Sequence, residues 1–517
     1  MRLRRSAGGV IGLLLWALPA LAAAQEGLTR AVAVPAPAHL AQSTASPGGL
    51  DLPSPPDAAV TFSAIDLLPG SIRSHLADGR GLDGKSVWPA RLPKRDRDAI
   101  AASYAARGNA AVWVGAAGWT PRAQSALDRL ALAGEDGLDT AAYRIAPFRP
   151  GRPPGAAELA DADIRLSAAA ILYARDARGG RIDPSRLSPL LTPTLDLPAA
   201  AAVLAELAAA PDPGTALERY NPSHPGYVAL KAKLAEVRAG TVARRPAVPS
   251  GRHSSGFEFT TQSIAILDDE PAPAQRPADR RPPNLEAEII SNMERWRWLP
   301  AELGERFVAV NVPEFRLRLY EGGRVRHETR VITGKPETPT PVFSGLMEYA
   351  IVNPSWHVPP SILKNEFLPR MAADPLYAER QGYEVVRRGN SISIRQPPGE
   401  RNALGFIKFM FPNRHAVYLH DTPNRRLFSA GRRAFSHGCV RVEDPFRLAD
   451  FVLGAAWTEQ RLKRLIGGGE RTLFLPQKLP VHLMYFTLKV DEGGELRSYE
   501  DIYGHDRRLR AALGALT

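Results

Sequence analysis

The sequence predicts an α+β chain of several domains, in which an all-helical region is followed by a mostly β region with a few helices. Three observations lead there. At 517 residues the chain has room for about two to four domains of ordinary size. Helix caps and apolar positions at helical spacing fill the stretch from Asp96 to Gly240, whereas short runs of β-branched and aromatic residues dominate from Phe307 onward. The 43 glycines and 47 prolines exceed what packed elements use, so long connections should accompany the folded parts. A hydrophobic share of 44% with 23% charged residues excludes a wholly disordered or fibrous chain.

At the N-terminus, Arg2, Arg4 and Arg5 precede an apolar run from Val10 to Leu18 and then the small residues Ala20 to Ala24. This is the order of a secretory signal peptide over 1–24, with cleavage after Ala22 or Ala24. The run is short for the roughly 20 residues of a membrane span, so an uncleaved anchor is the lesser reading. Residues 25–60, with Val34-Pro35-Ala36-Pro37 and Pro53-Ser54-Pro55-Pro56, cannot bury enough apolar surface to order themselves and are expected to be a disordered tether.

A helical domain is expected over 61–240. Thr120 is an N-cap with Pro121 at the first helical position, and Leu127 and Leu130 follow on one face. A second helix runs from about Ala160 to Arg178, where Gly179-Gly180 stops it. A third carries Tyr227, Leu230, Leu234 and Val237 before Gly240. Arg244-Arg245-Pro246 and Arg280-Arg281-Pro282-Pro283 mark 241–285 as a Pro/Arg-rich linker.

Over 286–490 strands are expected at 307–312, 317–320, 329–332, 349–352, 392–394, 416–419 and 481–486, with Glu321-Gly322-Gly323 as a turn. Helices are expected at about 361–371 and from an N-cap at Asp444, followed by Pro445, to Leu453. Residues 491–517 are a C-terminal extension.

Charge and cysteine content narrow the partners. A net charge of +12 favours polyanions, but export would remove cytosolic nucleic acid from the list. Cys439 is the single cysteine, so no intramolecular disulfide can form, and an exported lone thiol calls for a use. It stands in Phe435-Ser436-His437-Gly438-Cys439-Val440-Arg441, where Arg441 and the helix expected near Asp444 should favour thiolate. Nineteen positions earlier His420 ends an expected strand. A cysteine nucleophile needs such an imidazole to take and return its proton, and Gly438 would let backbone N–H groups turn toward an oxyanion. From spacing alone three uses stay open: catalysis, a buried structural cysteine, and a metal site drawn from His420, Asp421, His437 and Cys439. For zinc a lone cysteine is a poor start, because structural sites usually draw four spaced ligands.

His420, the eighteen residues after it, and Ser436-His437-Gly438-Cys439-Val440-Arg441 resemble the active-site signature of the YkuD-type L,D-transpeptidases, bacterial enzymes that crosslink peptidoglycan through a cysteine. Glu294-Arg295-Trp296-Arg297-Trp298-Leu299-Pro300, Asn353-Pro354-Ser355-Trp356-His357-Val358-Pro359-Pro360-Ser361 and Asn402-Ala403-Leu404-Gly405 resemble the large periplasmic YcbB-like branch. Asp136-Gly137-Leu138-Asp139, Gly180-Arg181-Ile182-Asp183-Pro184 and Pro222-Ser223-His224-Pro225-Gly226-Tyr227 resemble the scaffold domain of that branch.

The resemblance implies a helical scaffold domain followed by a mostly β catalytic domain, with a capping insertion at about 361–403. It implies Cys439 as nucleophile and His420 as general base, oriented by a backbone carbonyl near Asp421. His437, Gly438, Asp421 and Arg441 would support the site or its oxyanion, and Trp356, Tyr418 and Ser436 would meet the substrate. No metal and no cofactor are implied. The expected place is the periplasm, without stable membrane insertion after signal cleavage. The expected partners are donor and acceptor stem peptides and other wall synthases, and no nucleic acid. The expected reaction is 3→3 crosslinking through a cysteine thioester. A hydrolase on the same fold, whether an L,D-carboxypeptidase or a peptidase releasing wall-linked protein, and a non-catalytic wall-binding scaffold are the alternatives. Two departures stand out: Arg441 replaces the Asn common after the cysteine, and the small peptidoglycan-binding module usual in the branch gives way to the 241–285 linker.

Overall fold

The computed structural model describes residues 63–240, 284–389 and 391–514. The signal-like segment, the tether and positions 241–283 of the linker lie outside these residues. The first helix, Ala64–Asp78, starts on a reciprocal cap in which Asp66 accepts from the Ser63 N–H at 2.9 Å. Helix Pro121–Ala131 begins at Thr120, whose Oγ1 accepts from the Ala123 N–H at 3.2 Å. The long helix Ala156–Gly179 starts earlier than expected because the Glu158 carboxylate reaches back to the Gly155 N–H at 3.0 Å. Leu159, Ile164, Leu166, Ile171 and Tyr173 on this helix are buried in the helical core, the four aliphatic side chains each contributing about 1.5–3 kcal/mol by leaving water. Helix Ala200–Ala209 lies outside the expected elements, since Glu206 is its single polar residue and one position marks no period.

Helix Leu285–Trp296 begins at Asn284, whose Oδ1 accepts from the Ala287 N–H at 3.3 Å, and so occupies ground expected to close the linker and open the β region. It fastens the two halves together. The Glu294 carboxylate accepts from the N–H groups of Arg181 and Ile182, the latter at 3.1 Å. Arg297 is fully buried and donates to the Asp136 carbonyl at 2.6 Å and the Tyr227 hydroxyl at 2.8 Å. His224 stacks on Trp296 with ring centroids 4.2 Å apart. Gly180 has φ +83°, and a Cβ there would lie 2.8 Å from Glu294 and 3.0 Å from Trp298, so only glycine permits this approach. The four sequence motifs around Asp136, Gly180, His224 and Glu294 are thus one buried polar junction. On the far side, Asn292 Oδ1 accepts from the Thr487 and Leu488 N–H groups at 3.0 and 3.2 Å.

The helical half also holds a short hairpin, β1 (Val114–Gly115) and β2 (Gly118–Trp119). The second half contributes β3 (Arg306–Asn311), β4 (Arg316–Glu321), β5 (Arg324–Gly334), β6 (Phe343–Val352), β7 (Trp356–His357), β8 (Glu384–Arg388), β9 (Ser391–Gln396), β10 (Ile407–Met410), β11 (Leu419–His420), β12 (Ala434–Ser436), β13 (Val440–Val442) and β14 (Arg471–Met484). Among the described residues the main sheet runs β12-β5-β13-β11-β10-β6-β14-β3-β4. Its pairs are antiparallel except β11–β13, β3–β14 and β5–β12. Gly322 and Gly323 turn β4 into β5 with φ +56° and +74°, values that favour glycine. Helix Pro445–Leu453 covers one face through Phe446, Leu448 and Val452.

Two expectations are corrected here. Asp444 does not cap that helix with its side chain; its φ of −114° and ψ of 66° leave the carboxylate without a cap bond. Residues 416–418 are not strand. Asn413 Oδ1 accepts from the His415 and Val417 N–H groups at 3.0 and 3.2 Å, Ala416 takes φ +53°, and pairing begins only at Leu419. A side chain that binds its own local backbone competes with the sheet ladder.

Between β6 and β10 the chain forms a small separate layer. Sheet β7-β9-β8 packs with a helical run from Pro360 to Ala373, which includes a π-turn at Leu363–Phe367, around Trp356, Ile362, Phe367, Met371 and Ile394. This layer takes in Trp356, because β7 pairs with β9. The C-terminal residues are part of the second half's core: Ile502, Tyr503, Leu509 and Leu513 pack with Val312, Phe315 and Val342. Among the described residues no helix is long and apolar enough to cross a membrane.

Candidate active site

A cleft of about 820 Å³ lies where the small layer meets the ends of β11 and β13, and Cys439, His420, Tyr418, Arg441, Ser436, His437 and Trp356 all line it. The parallel register pairs Leu419 with Val440 and His420 with Arg441, and the Val440 N–H donates to the Tyr418 carbonyl at 3.1 Å. Cys439 therefore sits opposite Tyr418, two residues before the level of His420. The nineteen-residue separation in sequence becomes a neighbouring-strand relationship in space.

His420 is 4% exposed, and its Nδ1 lies 2.5 Å from the Asp421 carbonyl. A carbonyl only accepts, so Nδ1 carries the proton and Nε2 keeps its lone pair. Burial, with smaller contributions from the positive charges of Arg441 and Lys408, lowers the imidazole to about 3. The ring is neutral and poised to accept. Asp421 is locked in turn: its carboxylate accepts from the Phe406 N–H and from Arg425, both at 2.9 Å. Gly405, at φ +58°, makes room for it, since a Cβ there would lie 2.4 Å from the Asp421 carboxylate.

Cys439 is partly exposed, yet burial of its surroundings pushes the thiol up; Tyr418, Arg441 and Lys408 pull the other way without overcoming it. This corrects the expectation of a thiolate favoured by a helix N-terminus. Strand β13 stands between Cys439 and the helix at Pro445. Three strand residues span about 10 Å, whereas the helix-end effect fades within the first turn.

The loop around the thiol is held from inside. Ser436 is buried; its Oγ accepts from the Gly438 N–H at 3.1 Å and donates to the Cys439 carbonyl at 2.5 Å. Its hydroxyl is therefore occupied with the loop, which leaves it little to offer a substrate. Gly438 has φ +111°, and its N–H, expected to face an oxyanion, faces Ser436 instead. The Cys439 N–H has no hydrogen-bond partner among the described residues. His437 Nε2 lies 2.7 Å from Glu366 Oε1, in the π-turn of the small layer.

Tyr418 places its ring edge-on to His420 with centroids 5.6 Å apart, and its phenol, raised by burial and by the Cys439 thiol, also interacts with Trp356. Trp356 is buried in the small layer and forms one wall of the cleft. Lys408 and Glu366 were missed at the level of sequence. Lys408 pairs with His420 across β10–β11, and its Nζ is 5.8 Å from the Tyr418 ring. A lysine inside the apolar strand Ile407–Met410 was the available signal. Glu366 carried none, because its contact with His437 spans 71 positions. Among the described residues no group of three or more His, Cys, Asp or Glu is placed to hold a metal ion.

Comparison with known proteins accords with this layout. Residues 98–234 match the scaffold domain family, and residues 305–473 match the YkuD family, the L,D-transpeptidase catalytic domain. A Haemophilus influenzae protein named "Putative L,D-transpeptidase" is 36% identical over 249 residues, covering 44% of this chain and 50% of that protein. The chain thus spans half the length of that relative. Among solved structures, an L,D-transpeptidase variant from Enterococcus faecium shares 16% identity over 36% of this chain and 52% of its own, with a TM-score of 0.17. An L,D-transpeptidase from Mycobacterium smegmatis shares 14% over 35% of this chain and 58% of its own, also with a TM-score of 0.17. From the two family matches, the chain carries a YkuD-type L,D-transpeptidase catalytic domain together with a scaffold domain.

Proposed function

We propose that this protein is a peptidoglycan L,D-transpeptidase that forms 3→3 crosslinks through a Cys439 thioester. The observation that carries the reading is the neutral His420, with its proton fixed on Nδ1 by the Asp421 carbonyl, on the strand beside Cys439 in one cleft. As the Cys439 sulfur bonds to the carbonyl carbon of the third stem residue, His420 Nε2 takes the thiol proton. The C–N bond to the terminal D-alanine then breaks, and the same proton goes to the departing amine. A side-chain amine of a second stem attacks the thioester, gives its proton to His420, and the C–S bond breaks to restore the thiol. Trp356 and Glu366 overhang this cleft from the small layer, and a covered site favours an amine over water as the second nucleophile.

A raised thiol and a lowered imidazole describe a neutral pair, in which proton transfer accompanies attack. The N-terminal sequence supports export to the periplasm, where the stem peptides are. The test is intact-mass analysis after incubation with a disaccharide-tetrapeptide. The reading expects a covalent adduct lacking D-alanine on the wild-type protein and none on Cys439→Ala; an adduct on both would sink it.

A further inference from the structure

The peptide between Gly438 and Cys439 is tied to the far C-terminal segment. Thr340, fully buried, donates from Oγ1 to the Gly438 carbonyl at 2.9 Å and accepts from the Gly334 N–H at 2.8 Å. Tyr503 holds Thr340: its hydroxyl accepts from the Thr340 N–H at 3.2 Å and donates to the Gly334 carbonyl at 2.6 Å. Tyr503 is itself fixed, its N–H donating to the Tyr485 hydroxyl at 2.9 Å, which donates to Asp501 at 2.8 Å. Tyr503 lies beyond residues 305–473, the part matched to the catalytic domain family.

In a planar trans peptide the C=O and the following N–H point in opposite directions. With the Gly438 carbonyl drawn inward to Thr340, the Cys439 N–H is turned outward, and it has no partner among the described residues. The Gly438 N–H is taken by Ser436, so the Cys439 N–H is the loop's available donor. We infer that Tyr503 and Thr340 are positioning residues that hold the Cys439 N–H toward the oxyanion formed during acylation, so that the C-terminal segment completes the active site. The inference rests on the cysteine mechanism proposed above. Neither residue touches the substrate; both act through the peptide plane.

Two reactions of the same thiol separate this role from a merely structural one. Acylation by imipenem passes through an oxyanion, whereas alkylation by iodoacetamide does not. Loss of an oxyanion donor typically costs about 10²–10³-fold, and an indirect loss of its orientation should cost less, about 10-fold for Tyr503→Phe and up to about 10²-fold for Thr340→Val. Alkylation should stay within about twofold of wild type in both variants, and Thr340→Ser, which keeps the hydroxyl, should restore acylation. The Thr340→Val and Thr340→Ser pair carries the test even where Tyr503→Phe is poorly folded. Acylation of both Tyr503→Phe and Thr340→Val at the wild-type rate would overturn the inference alone, as would equal loss of acylation and alkylation. Absence of any imipenem adduct on the wild-type protein would overturn the cysteine mechanism and the inference with it.

Discussion

Glu366 of the small layer and His437, two residues before Cys439, meet through a 2.7 Å hydrogen bond, so the layer over the cleft is fastened to the loop that carries Cys439. This gives His437 a role separate from that of His420: it links cover and loop, and it is not placed as the base. Glu366→Ala should leave the cover looser and admit water to the acyl-enzyme. The expected change is a larger share of trimmed monomers relative to crosslinked dimers, with acylation slowed less than about tenfold. An unchanged product ratio would remove the bond from the account.

The two histidines should respond differently to substitution. His420→Ala removes the proposed base of both half-reactions and should lower turnover by about 10²–10⁴-fold. His437→Ala should cost clearly less and resemble Glu366→Ala in product ratio. Equal losses, measured as kcat on soluble tetrapeptide donors, would show that the base is wrongly assigned.

The neutral pair has a pH signature. Because burial raises the Cys439 thiol and lowers His420 to about 3, alkylation of Cys439 should climb through and beyond the ordinary thiol range near about 8.5. A rate that is already flat between pH 5 and 7 would indicate a thiolate–imidazolium pair instead.

The same burial predicts acid sensitivity of the fold. His420 and His505 are lowered to about 3 and His224 to about 4. Each takes up a proton near about pH 6.5 in the unfolded chain but far lower in the folded one. The unfolded state therefore binds more protons in between, and stability is full above about pH 6.5 and lost as pH falls toward 3. Denaturant midpoints at pH 7.5 and 5 should show it; a protein no less stable at pH 5 would contradict the depressed histidines.

Much of this was legible in the sequence where the determinants are local. The cap at Thr120 and the turn at Gly322-Gly323 depend on neighbours a few positions away, and the structure has both. The start of pairing at Leu419 did not, because Asn413 diverts the backbone through bonds to residues that look like strand. The sequence makes Gly438 look like an oxyanion donor for a similar reason: only the fold reveals that Ser436 already takes its N–H. Glu366, Lys408, Thr340 and Tyr503 act across long separations, where no spacing rule applies. The motifs at Gly180, His224 and Glu294 are visible as a family likeness, but their reason, one buried junction around Arg297, arises only when distant segments fold together.

The most direct measurement of the central claim is product analysis after the wild-type protein and Cys439→Ala are each incubated with purified tetrapeptide muropeptides. The account predicts dimers joined between third residues, with release of D-alanine, from the wild-type protein alone, while Cys439→Ala keeps its melting temperature within a few degrees. Trimmed monomers without dimers would make the protein a hydrolase, and dimers formed by Cys439→Ala would contradict the mechanism outright.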